Sequence, residues 1–192
     1  DRSVSRGLGD VYKRQAYEVL TNLSSTKNNI ILDFNYTAST RLILKQCGLS
    51  DEDIDNRLIK VHGEASNNDI IFGVEDNAGI KKEHVFLRKA YNIKYKALNF
   101  SELYDRIKSV AIFGHSLGET DHTYFNKLFQ ESCMYNKFST NNNKEFWLFY
   151  YKENGYHCMM QQLDSLTHNS LTSFRQYNRV NFINTDKEKV FI

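Results

Sequence analysis

The chain has 192 residues, a length that suits one domain with a packed core. Its 25 basic and 23 acidic residues give a formal net charge of +2, and no apolar run approaches the ~20 residues that span a bilayer. The three cysteines form no C-x-x-C pair, which favours reduced thiols. These properties argue against nucleic-acid and membrane partners, and we expect a cytoplasmic protein.

Residues 1–15 carry a sequence of unusual origin. Back-translation of Ser5–Gln15 gives a string similar to a transposon-type sequencing adapter, which predicts a non-native segment. A natural basic arm is the alternative. We expect the authentic chain to start near Ala16, as the C-terminal part of a longer protein, and to form a single domain over residues 16–192. Because the first fifteen residues hold four basic and two acidic side chains, the remaining chain has a formal charge of zero.

The first half of the chain alternates short apolar runs with helical patterns. Strands are predicted over residues 29–36, 57–63 and 69–73. A helix is predicted over residues 37–48, where Gly48 suits its end. A second helix is predicted over residues 101–108, with Ser101 as its cap.

The second half repeats this alternation. Strands are predicted over residues 109–114, 145–151 and 179–184, and helices over 119–133, 157–166 and 170–177. The first of these helices carries an apolar face formed by Tyr124, Phe125, Leu128 and Phe129. Strands alternating with helices predict an α/β fold, a Rossmann-like, mostly parallel sheet flanked by helices and incomplete at its N-terminus.

Three polar motifs follow predicted strands: "DFNYT" at 33–37, "VHG" at 61–63 and "GHSLGETD" at 114–121. The carboxyl ends of parallel strands meet at one edge of a sheet, and ligands bind there. We therefore expect Asn35, His62 and Ser116 to face one shared cleft.

The string "GHSLG" has three interpretations. It matches G-x-S-x-G, the nucleophile elbow of α/β serine hydrolases, with Asp164 and His168 as acid and base in the required order. Those two residues lie only four apart, unlike the usual triad. The string also suits a nucleotide-binding turn before a helix, where Ser116 donates to a ligand oxygen. Finally, it is typical of a structural turn capped by Ser116.

The acidic residues of the same motif bear on the kind of ligand. Glu119 and Asp121 fall in the first turn of the predicted helix, where carboxylates repel a nearby phosphate. This position favours contact with a ribose over contact with a pyrophosphate.

The motifs carry a family resemblance. The series "ILDFNYT…VHG…IIFG…IFGHSLGETDHTYF", within Asn29–Phe129, resembles the AbiH family of bacterial abortive-infection proteins. Members of that family usually open with a strand and a "GNGFD" turn, which this chain lacks. The resemblance implies a role in phage defence.

AbiH proteins are in turn distantly similar to sirtuin-like domains, and that similarity implies a site. Asn35 matches an asparagine that follows a strand, His62 a catalytic base, and "NFINTD" a late strand that meets adenosine. Thr37 departs from the pattern, which has aspartate there, and the zinc-binding cysteines of true sirtuins are missing. The residues implied are His62 and Asn35 as catalytic, and Gly114, His115, Ser116, Leu117, Asp121 and Asn184 as cofactor-binding.

The implied chemistry is binding or hydrolysis of NAD. An amide at Asn35 can hold a ribose hydroxyl or orient water, and a neutral imidazole at His62 can accept a proton. NAD is the expected cofactor and no metal is expected. Two alternatives stay open: a non-catalytic defence sensor, and the serine hydrolase. A nucleotide or dinucleotide is the expected partner, and an oligomer is compatible with the sequence.

Overall fold

A computed structural model describes residues 14–22, 25, 28–74, 78–92, 106–134 and 143–186. These residues belong to two compact units, one up to residue 92 and the other from residue 106. Both units combine parallel strands with helices, which confirms the predicted α/β class. The single domain expected over residues 16–192 stays a prediction. Among the described residues, every helix lacks the length or the apolar character needed to cross a bilayer.

The first unit contains two parallel strands joined by two helices. Helix α1 covers residues 14–22, and strand β1 (Ile31–Asp33) leads through α2 (Ser39–Gln46) and α3 (Asp51–Arg57) into β2 (Leu58–Lys60). In the parallel register Ile31 pairs with Leu58 and Asp33 with Lys60. The residues after β1 and those after β2 therefore emerge side by side at the carboxyl edge of this sheet.

Local sequence explains where these helices begin and end. Helix α2 ends before Gly48, whose φ of +89° is the left-handed conformation that glycine adopts readily, as predicted. Helix α3 begins after Ser50, whose Oγ accepts a hydrogen bond from Asp53 N at 3.1 Å. We did not predict α3, although its Ser-x-x-Asp cap was visible in the sequence. As a result, the strand predicted over 57–63 is shorter than expected.

The segment after β2 is mostly irregular. It contains short 3₁₀ turns at Ala65–Asn67, Lys82–Leu87 and Lys89–Tyr91. The strand predicted over residues 69–73 is wrong, because none of these five residues is in a strand; next to them, Val74 forms an isolated bridge with Arg88. The run "DIIFG" is instead attached to the residues that follow β2, since Ile71 N donates a hydrogen bond to His62 O at 2.9 Å.

The second unit contains a parallel three-stranded sheet in the order β3–β4–β5. Its strands are β3 (Ser109–Ile112), β4 (Glu145–Tyr150) and β5 (Arg179–Asn184). Helix α4 (His122–Ser132) follows β3, while α5 (Lys152–Leu166) and α6 (Leu171–Tyr177) connect β4 to β5. In the register Ser109 pairs with Glu145, which pairs with Arg179.

The core of the second unit is aromatic. Phe129 of α4, Phe146 of β4 and Phe174 of α6 are fully buried, with ring centroids 4.7–5.6 Å apart. The apolar face predicted for α4 is confirmed, since its four aromatic and leucine side chains are all buried. This packing holds α4 against the sheet.

Two predicted helices of this unit need comment. Helix α5 begins at Lys152, five residues before the predicted start near residue 157. The prediction placed the start too late because Asn154 and Gly155 have low helix propensity. Residues 101–105 of the helix predicted over 101–108 lie outside the described part of the chain. Residues 106–108 are described, and they are not helical.

We expect the cysteines to react with iodoacetamide at different rates. The pKa of the Cys133 thiol is raised by burial, and its Sγ donates to Phe129 O at 3.2 Å, whereas Cys158 is exposed. A raised pKa leaves less of the reactive thiolate at any given pH, so Cys133 should react several-fold more slowly than Cys158. Peptide mass spectrometry over a time course at pH 8 measures both rates, and equal rates would contradict the partial burial of Cys133.

Candidate functional site

A polar group occupies the carboxyl edge of the first sheet. We call Asp33, Asn35, Lys60, His62 and Glu64 the strand-end cluster. Asp33 is 4% exposed, and its Oδ2 accepts a hydrogen bond from Lys60 Nζ at 2.8 Å. The same ammonium donates to two backbone carbonyls, Asn35 O at 2.5 Å and Thr37 O at 2.7 Å. Lys60 thus fixes the path of the chain after β1.

Asn35 is the exposed member of the cluster. Its backbone N and its side-chain Nδ2 both donate to Asp33 Oδ1, at 2.9 and 3.1 Å. An asparagine amide has a second N–H and a carbonyl oxygen. The side chain is therefore held in place by a buried carboxylate while it faces solvent, which is suitable for binding a ligand.

His62 is buried, with 5% of its surface exposed. Its ring lies against Phe34, edge to face at a centroid distance of 5.4 Å, and against Tyr36 at 6.0 Å. The structure thus brings His62 together with the two residues that flank Asn35. Burial among aromatic rings favours a structural role for the imidazole, since a general base has to reach the proton that it accepts.

The turn after His62 depends on glycine. Gly63 has a φ of +74°, and a Cβ on it would lie 2.1 Å from Asp69 O. Asp69 also accepts a hydrogen bond from Glu64 N through Oδ1 at 2.6 Å. Glu64 is largely buried, with 9% of its surface exposed. The turn places its carboxylate 3.9 Å from Lys60 Nζ. The cluster therefore contains two carboxylates and one ammonium.

In the second unit, the predicted nucleotide turn is a loop, Gly114–Asp121, between β3 and α4. Two residues in it have positive φ: Gly114 at +65° and Leu117 at +55°. The Leu117 side chain is fully buried, whereas Ser116 is exposed. The loop is thus folded around Leu117, and it presents Ser116 to solvent.

Two histidines bind the backbone of Leu117. Leu117 N donates to His115 Nδ1 at 2.9 Å, and Leu117 O lies 3.0 Å from His122 Nε2. Since Nδ1 accepts, a neutral His115 carries its proton on Nε2, which lies 3.3 Å from Asp121 Oδ2. His122 Nε2 also lies 2.9 Å from Gln162 Oε1, which ties the loop to α5.

This geometry disfavours the serine hydrolase. In a nucleophile elbow the serine itself occupies the strained turn position, but here that position is Leu117. His115, next to Ser116, uses Nδ1 for Leu117 N and directs Nε2 at Asp121. His168, the predicted base, lies with Nε2 3.0 Å from Gln130 Nε2.

The same geometry disfavours a phosphate cradle in this loop. A cradle needs unpaired amides, but Leu117 N donates to His115 and Asp121 N donates to Gly118 O at 2.9 Å. The Glu119 and Asp121 carboxylates also stand before the helix. Hydroxyl-rich ligands fit these groups better than phosphates.

The remaining predicted residue, Asn184, ends β5. Its Oδ1 accepts a hydrogen bond from Asp186 N at 2.9 Å, so the side chain closes a turn. The described residues contain no group of three or more His, Cys, Asp or Glu side chains arranged to hold a metal ion. Sequence reasoning missed Lys60, and the signal was a lysine at the end of an otherwise apolar strand.

Comparison with known proteins identifies the family. Neither the curated proteins nor the solved structures give a match to this chain. The sequence model described as "Bacteriophage abortive infection AbiH" matches residues 3–148, a range that includes the strand-end cluster and the Gly114–Asp121 loop. This match covers well over half of the chain, which therefore belongs to the AbiH family of bacteriophage abortive-infection proteins.

Proposed function

We propose that this AbiH protein acts in phage defence by binding a nucleotide, with NAD as the ligand. The observation that carries the proposal is the Asn35 side chain, exposed at the carboxyl edge of parallel strands and held there by buried Asp33. Ligands of parallel α/β sheets bind at this edge. Ribose hydroxyls can both donate and accept, so an amide suits them.

The charges of both units favour a sugar contact. In the first unit, Lys60 Nζ already interacts with three oxygens, and Glu64 adds a second carboxylate. In the second unit, exposed Ser116 offers a hydroxyl beside Glu119 and Asp121. Both strand-end loops therefore offer groups that bind hydroxyls.

The enzymatic form of the proposal is hydrolysis of NAD. The bond between nicotinamide and ribose breaks with its electron pair leaving on nicotinamide, and a water oxygen bonds to the ribose carbon and releases a proton. Asn35 orients the sugar or the water, and His62 accepts the proton. This step requires His62 to act through the 5% of its surface that is exposed.

A second candidate is a defence protein that binds the nucleotide without cleaving it. The burial of His62 between Phe34 and Tyr36 favours this function. The two candidates differ in one product. Hydrolysis releases nicotinamide from NAD, whereas a sensor returns NAD unchanged.

The test is calorimetric titration of the purified chain with NAD. We expect Asn35→Ala to weaken binding about 10-fold, since one hydrogen bond contributes about 1–1.5 kcal/mol. Asn67→Ala is the matched control, because Asn67 is an exposed asparagine in the same unit, outside the cluster. Unchanged affinity in Asn35→Ala would contradict the proposed site. Chromatographic assay of nicotinamide separates hydrolysis from binding, and plaque counts with both variants connect binding to defence.

A further inference from the structure

We propose that Tyr36 and Phe72 form a stacking surface for the base of the bound nucleotide. This inference rests on the nucleotide-binding function proposed above and adds a base-recognition site to it. The Phe72 side chain is 69% exposed, and its ring centroid lies 5.2 Å from that of Tyr36, with 39° between the ring planes. A flat aromatic ligand can extend this pair at low cost.

Hydrogen bonds fix the backbone on both sides of Phe72. Ile71 N donates to His62 O at 2.9 Å, and Val74 N donates to Leu87 O at 2.8 Å. Tyr36 is fixed as well, since its carbonyl accepts from Ala65 N at 2.8 Å. The backbone at Phe72 is therefore preorganised, which lowers the backbone entropy lost when a ligand stacks on the ring.

The position of Phe72 distinguishes it from other exposed rings. Single exposed apolar side chains are ordinary. Phe72, however, ends a row of rings that runs through Tyr36 and His62 to Phe34. Tyr36 directly follows Asn35 in the chain. A base on Phe72 and Tyr36 would thus lie one residue along the chain from Asn35, the residue proposed to hold the sugar.

Phe86 provides a matched control within the same unit. Its side chain is 63% exposed, close to the value for Phe72, but its ring faces His84 at 6.3 Å. Replacing either phenylalanine by alanine removes a similar exposed ring. The change at Phe72 removes a ring that contacts Tyr36, whereas the change at Phe86 removes a ring that contacts His84.

The experiment is titration of the wild-type chain and the variants Phe72→Ala, Phe72→Leu, Phe72→Tyr and Phe86→Ala with NAD and with AMP. Base stacking contributes about 1–3 kcal/mol, so we expect Phe72→Ala and Phe72→Leu to weaken the binding of both ligands about 5-fold to 140-fold. Phe72→Tyr should retain affinity because it keeps the ring, and Phe86→Ala should bind as wild type does. Melting temperatures verify folding, and Phe72→Leu decides the matter if Phe72→Ala unfolds.

Unchanged affinity in folded Phe72→Leu overturns the stacking surface, as does an equal loss in Phe86→Ala. If Asn35→Ala weakens binding and Phe72→Leu does not, the proposed function stands and this inference fails. If Phe72→Leu weakens binding and Asn35→Ala does not, the stacking surface stands and the proposed role of Asn35 fails. A wild-type chain that binds neither NAD nor AMP overturns both.

Discussion

Gly63→Ala is expected to lower the free energy of unfolding by at least about 3 kcal/mol, because two separate costs add together. The first is the left-handed φ of +74°, which costs an alanine about 1–2 kcal/mol. The second is a clash, since the new Cβ would lie 2.1 Å from the backbone oxygen of Asp69. Backbone cannot rotate aside as a flexible side chain can, so the turn after β2 has to move.

Gly48→Ala separates these two costs. Gly48 has a similar φ of +89°, but nothing lies within 4 Å of the added Cβ. It should therefore show only the backbone cost, about 1–2 kcal/mol. Urea denaturation of both variants gives the comparison. Equal losses would mean that the close approach of Gly63 to Asp69 does not exist in solution.

Lys60→Met is expected to lower the free energy of unfolding by about 3 kcal/mol, since breaking a buried ion pair strands its partner. Methionine keeps most of the apolar stem but removes the ammonium. The Asp33 carboxylate, whose side chain is 3% exposed, then loses its cation. The carbonyls of Asn35 and Thr37 lose a donor in the same step.

Lys45→Met is the matched control for Lys60→Met. Lys45 Nζ lies 2.8 Å from Asp51 Oδ1, which equals the distance from Lys60 Nζ to Asp33 Oδ2. The Lys45 and Asp51 side chains, however, are both exposed. The pKa of Asp51 is lowered chiefly by the hydrogen bond from Lys45, yet solvent screens this pair. We expect a much smaller loss than for Lys60→Met. Similar losses in the two variants would contradict the special position of Lys60.

The sequence was sufficient for the elements that depend on local pattern. Helix α4 was predicted from four apolar residues spaced on one face, and all four are buried. The end of α2 was predicted from Gly48 alone. The pattern of residues 69–73 wrongly predicts a strand, because a short continuous apolar run shows no periodicity. Such a run occurs both in buried strands and in irregular segments that pack against the core.

The candidate site was predictable only in part. The sequence motifs predict Asn35 and His62 as residues at strand ends, and these residues do follow neighbouring parallel strands. Their environments were not predictable, because burial and partners come from residues far away in sequence. Lys60 meets Asp33 across 27 positions, and the aromatic rings that bury His62 come from the other strand end.

The loop around Leu117 changes what the string "GHSLGETDH" says about related proteins. Its two histidines and Asp121 stabilise the fold of the turn, whereas Ser116 faces solvent. A homologue that keeps both imidazoles and exchanges the serine would preserve the shape of the loop and change a side chain that it exposes. Searching genomes with this signature therefore retrieves proteins that share the fold of this loop, whichever residue stands between the histidine and the leucine.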